Sequence, residues 1–192
     1  SIKMKNFVIS LLKDNVPGTY YYHNYKHTLY VIDKALEIGT SEGCTAEEME
    51  LIHTSALWHD TGYIRTYKNH EEESCLLARE NLPGFGYSPE YVEKVCSMIM
   101  ATKIPQLPKN KLEEILADAD LEYLGSDSFI TKADELFREM QSINPQLTLE
   151  KWNEMQVSFL ENHHYFTNFC KQHKESIKQQ HLQQLLLVTG KS

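Results

Sequence analysis

Apolar positions along the chain recur at spacings of three and four, and strict apolar–polar alternation over a strand's length is absent. This rhythm predicts helices over about 3–14, 24–40, 46–60, 70–82, 89–101, 110–124, 127–142, 148–163 and 168–188. Apart from Gly39 near the end of the second segment and Pro89 at the start of the fifth, glycine and proline fall between these segments. Asn15-Val16-Pro17-Gly18 stops the first, and Leu82-Pro83-Gly84 stops the fourth. Thr45 followed three residues later by Glu48 reads as a capping box, and Ser88-Pro89 puts proline at a first helical position. No repeat or low-complexity linker interrupts the pattern. The expected fold is all-α, one helical domain over 1–192 with a core at about 20–140. Trp152, Val157, Phe159, Leu160, Leu182, Leu185, Leu186 and Val188 suggest that helices of about 143–192 pack on that core, and a homodimer contact there is equally allowed.

Polar residues that break into the apolar faces come next. His27, Val31, Ala35 and Ile38 share one face, so His27 stands at the end of a buried stripe, with His23 one turn before it. Ile52, Ala56 and His59 follow the inward face of the third helix, and Asp60 ends it. In the sixth, Leu116, Asp120 and Leu124 form an apolar line with an acid in its middle, whereas Lys111, Glu114, Asp118 and Glu122 form a charged stripe. Asp118 is therefore expected in solvent. Asp120 is expected inside, where an unpaired carboxylate is costly and asks for a cation.

Charge narrows the partners. A net charge of −8 and three arginines far apart, at 65, 79 and 138, argue against duplex nucleic acid, which needs clustered cations. No apolar run reaches the length of a membrane span, and the N-terminal stretch lacks a small-residue cleavage pattern. The four cysteines show no metal-binding spacing and read as free thiols of a cytoplasmic protein. Two inward histidines and two carboxylates from separate helices suit one divalent ion, Mn, Fe, Ni, Co, Zn or Mg.

The set His27, His59-Asp60 and Asp120, with Ser55-Ala56-Leu57-Trp58-His59-Asp60-Thr61-Gly62-Tyr63 around the dipeptide, resembles the HD superfamily of helical metal-dependent phosphohydrolases. The likeness spans about residues 20–140 and implies that His27, His59, Asp60 and Asp120 are metal ligands. It does not itself choose between Asp118 and Asp120; the helical-face reading selects Asp120. Tyr22-His23-Asn24-Tyr25-Lys26-His27 is similar to the HNxxH element of cyclic-nucleotide phosphodiesterases, which implies His23 as general acid. The alternative for His23 is a brace for its loop. Dinuclear members of the superfamily carry two further histidines. His70 stands about where the first would be, and Ile99-Met100-Ala101-Thr102-Lys103 has none where the second would be, so one ion is expected.

The resulting expectation is hydrolysis of a small phosphorylated molecule, a nucleotide or related metabolite, with Asp60 both ligand and acceptor for the attacking water. Arg65, Lys68, His70 and Lys103 are the candidate substrate contacts. The competing readings are a di-iron oxygenase and a metal-containing ligand sensor without turnover. His163, His164, His173 and His181 read as surface residues.

Overall fold

A computed structural model describes residues 1–190, and among them there is no strand. The helices are α1 (Ile2–Asn15), α2 (Tyr25–Ser41), α3 (Ala46–Trp58), α4 (His70–Asn81), α5 (Pro89–Ala101), α6 (Lys111–Asp120), α7 (Phe129–Ile143), α8 (Leu149–Asn162), α9 (Asn168–His173) and α10 (Glu175–Thr189). Short 3-10 turns follow α3, α4 and α6, at Thr61–Ile64, Leu82–Phe85 and Glu122–Gly125. The sixth and ninth expected helices are thus each divided in two. None of the described helices is long and apolar enough to cross a membrane.

Local chemistry sets the helix starts. Thr45 Oγ1 accepts the Glu48 amide, and Glu48 returns the bond to the Thr45 amide, completing the capping box that opens α3. Asn24 opens α2 by accepting the Lys26 amide at 2.9 Å. Helices α2, α3, α5 and α6 pack against one another, and α4 lies along α5. Their shared core holds fully buried Val31, Ile38, Ile52, Trp58, Ile99 and Leu116. Each such side chain contributes roughly 1.5–3 kcal/mol, so the inner ends of these helices are held in one arrangement. All four cysteines are free thiols, three of them buried.

A second apolar cluster joins the chain beyond α6 to this body. Tyr22, Tyr123, Leu124, Phe129, Leu160 and Leu182 are buried in it, bringing α7, α8 and α10 against the 122–125 turn. The approach is close enough to require glycine: a Cβ on Gly125 would stand 2.3 Å from the Lys174 carbonyl oxygen.

Two sequence expectations fail here for one reason. Asp118 is fully buried, not solvated, and accepts the amides of Phe166 and Thr167 at 3.0 and 2.8 Å and the Thr167 hydroxyl at 2.7 Å. Burial pushes its carboxyl up to about 6, against those hydrogen bonds. Glu122, on the same stripe, is also buried and pairs with Lys174 at 2.7 Å. His163 is buried rather than on the surface, accepting at Nδ1 from the buried Lys178 amine 3.1 Å away. Residues 163–178 thus cover the Asp118 and Glu122 stripe, which looks polar when considered alone, and His163 is buried within that cover.

Candidate metal centre

The chain leaves α3 sharply at His59-Asp60. Thr61 Oγ1 donates to the Trp58 carbonyl, and the Gly62 amide donates to Ser74 Oγ, which in turn donates to the His59 carbonyl at 2.7 Å. These bonds satisfy the end of α3 through α4 and fix where Asp60 points. Gly62 is required by contact: a Cβ there would meet the His70 carbonyl oxygen at 1.9 Å. Gly62→Ala is expected to force α4 away from α3 and cost about 3 kcal/mol or more, lowering Tm by roughly 6 °C or more in thermal unfolding. An unchanged Tm would mean the α3–α4 junction yields freely.

Four ligand atoms converge below this turn. His27, His59, Asp60 and Asp120 each offer one, and all lie within 4.8 Å of one another. His27 Nε2 is 3.0 Å from Asp120 Oδ1 and 3.5 Å from Asp60 Oδ2, and His59 Nε2 is 3.3 Å from each of those oxygens. The His59 Nδ1–H donates to the Ala56 carbonyl at 2.6 Å, which leaves the Nε2 lone pair for the cluster. His59 Nε2 and Asp60 Oδ2 are buried and have no hydrogen-bond partner. Buried polar atoms in that state are rare and need an explanation, which a cation supplies.

The electrostatics point the same way. Burial opposes charge on His59, yet the Asp60 and Asp120 carboxylates overcome it and raise His59 well above the ordinary histidine range. Burial likewise opposes charge on both carboxyls, and the neighbouring histidines hold them below the usual carboxylate range. Two imidazole nitrogens and two carboxylate oxygens, with no thiolate, fit a borderline-hard divalent ion.

Three further groups stand around the cluster. His70 Nε2 lies 3.0 Å from Asp60 Oδ1, and the His70 ring stacks on Tyr63 with centroids 3.9 Å apart. His23 also stacks on Tyr63, with ring centroids 4.3 Å apart. The His23 Nδ1–H donates to Glu139, a fully buried carboxylate on α7 that also accepts the amides of Tyr22 and His23 and the Tyr67 hydroxyl. Burial opposes charge on His23, but the Glu139 bond and charge raise its pKa above the ordinary value. Glu139 is absent from the sequence reading, although it stands three residues after Leu136 beside an apolar stripe, the same signal that singles out Asp120.

His23, Asp60, His70 and Asp120 all line a cavity of about 480 Å3, and Lys103 and Thr102 stand on its wall. Lys103 Nζ is engaged by Glu72 and by Asn69 Oδ1. The structure does not bring Arg65 or Lys68 to this cavity. Arg65 reaches Glu80 at 2.8 Å and Glu73 at 3.4 Å on the exposed side of α4, and Lys68 is exposed. The segment after Asp60 turns back along α4, so Arg65 follows α4's acidic outer face.

The family model described as HD domain matches residues 24–122, just over half of the chain. No curated protein and no solved structure matches the chain.

Proposed function

Because the chain belongs to the HD domain family, we propose that it is a metal-dependent hydrolase cleaving a phosphoester of a small molecule. The observation that carries this reading is the convergence of buried His27, His59 and Asp60 with half-buried Asp120 beside a cavity, with His59 Nε2 and Asp60 Oδ2 lacking any hydrogen-bond partner. These four residues would hold one divalent ion, which when bound polarises a phosphoryl oxygen and lowers the pKa of a water.

The chain's own groups supply the rest. With Nδ1 committed to Glu139, His23 has Nε2 left for the cavity it lines. Its raised pKa favours the imidazolium, which hands that Nε2 proton to the departing ester oxygen. Asp60 accepts a proton from the attacking water, and His70, held against Tyr63, orients Asp60 through Oδ1. Tyr22, packed 4.6 Å from the His27 ring, keeps bulk water from that side of the cluster.

The test is elemental analysis of the purified protein followed by hydrolysis of a phosphoester panel with Mn, Mg, Co and Ni ions. About one divalent ion per chain and turnover that a chelator abolishes are expected. Iron with a mixed-valence spin signal would favour the oxygenase reading. Binding without turnover across the panel would favour the sensor.

A further inference from the structure

We propose that the substrate carries a single phosphoryl group on an uncharged, largely apolar body at least one aromatic ring in size. This inference rests on the phosphohydrolase reading above and adds the class of molecule that the cavity selects.

The cavity has two chemically unlike walls. One is the metal cluster with His23 and His70. Leu124, Phe129, Leu136, Met140, Trp152 and Phe159 supply the other. They come from the 122–125 turn, α7 and α8, beyond the residues that the family shares. The walls meet through a run of rings, Tyr22 to Tyr123 at 5.5 Å and Tyr123 to Phe129 at 6.4 Å between centroids.

Charge limits what the polar end accepts. Lys103 is the one lysine or arginine lining the cavity among the described residues, and Glu72 and Asn69 already hold its amine, while the His23 imidazolium is committed to the leaving ester oxygen. Asp60, Asp120 and Glu71 line the same space. A second or third phosphate would therefore sit among carboxylates with no free countercharge.

The apolar wall limits the rest of the molecule. Among the lining residues of α7 and α8, Gln156 and the single indole N–H of Trp152 are the only side-chain hydrogen-bonding groups. A nucleobase and ribose seated there would leave most of their donors and acceptors unpaired, which costs more than their apolar faces return. An aryl or alkyl body buries its surface against the same wall without that loss. The volume, about 480 Å3, lies within the range of small-molecule sites.

The test reads binding separately from turnover. The full chain loaded with Mn2+ is titrated by calorimetry with methylphosphonate, phenylphosphonate, naphthylmethylphosphonate and the mono- and triphosphates of adenosine. Each methylene-sized increment of buried surface is worth about fourfold, so the naphthyl compound is expected to bind at least about 100-fold more tightly than methylphosphonate. It should also bind more tightly than either nucleotide and quench Trp152 fluorescence, while Trp58 in the core gives a constant background. Met155→Glu, on the half-buried lining face of α8, should narrow the naphthyl-to-methyl ratio by about tenfold. A flat phosphonate series, or a nucleotide binding as tightly as the naphthyl compound, would overturn the inference. Hydrolysis is then assayed on the matching phosphate esters. Ordered binding with no turnover of any ester supports the apolar preference and removes the phosphohydrolase reading. Turnover of nucleotides with a flat aryl series keeps that reading and sinks this inference.

Discussion

Asp60→Ala is expected to strip the metal and reduce turnover to background in a protein that still folds. Asp60 is the one residue of the cluster touched from three sides, with His27 at 3.5 Å, His59 at 3.3 Å and His70 at 3.0 Å. Losing it removes a ligand oxygen and the anchor of His70 together. Partners outside the ligand shell are commonly worth 10–100-fold in metal affinity, so losing a ligand should exceed about 100-fold. The helices are held by the apolar clusters and not by this carboxylate, so the cost to folding of the metal-free protein should be about 1–2 kcal/mol. Elemental analysis, circular dichroism and the phosphoester assay check the three parts. Hydrolysis at the wild-type rate would remove the His59-Asp60 pair from the chemistry.

The second large effect separates proton transfer from metal holding. His23→Asn should retain its metal and lower kcat by about 10²–10⁴, with a smaller loss for nitrophenyl esters, whose leaving oxygen needs little protonation. Loss of metal would instead make His23 a brace for His27. Glu139→Gln tests the partner. Glu139 raises His23, so the wild-type rate should fall as pH rises through that raised pKa. The amide removes the charge and leaves the burial penalty, so the imidazolium is lost at lower pH. The alkaline limb of the kcat profile should therefore move toward acid. A limb that stays in place would leave Glu139 a strut under the Tyr22 and His23 amides.

What the sequence discloses follows the range of the forces involved. The ends of α3 and α5 are legible because the capping box at Thr45 and the proline at position 89 act within a turn. The approach of Asp120 to the histidines is legible because an acid on an apolar face has few inexpensive alternatives. Asp118 is misread because its partners, the Phe166 and Thr167 amides, stand 48 and 49 residues away in sequence. The same separation hides Glu139, 116 residues from His23. Arg65 shows the reverse error: a cation near the dipeptide in sequence turns outward because Glu73 and Glu80 on α4 hold it.

Glu139 also bears on how modular this protein is. The residues shared with the family end at 122, and they include all four residues of the cluster. The carboxylate gripping His23 lies on α7, and the amides gripping Asp118, two residues before Asp120, lie between α8 and α9. The inherited unit and the operating unit are therefore different lengths of chain. Helices added after a shared fragment are usually free to diverge, but here divergence is coupled: drift in α7 that alters the cavity wall also shifts the carboxylate that holds His23. The cavity wall and the seat of His23 cannot be varied independently in such a design, and swapping the C-terminal helices would transfer both or neither.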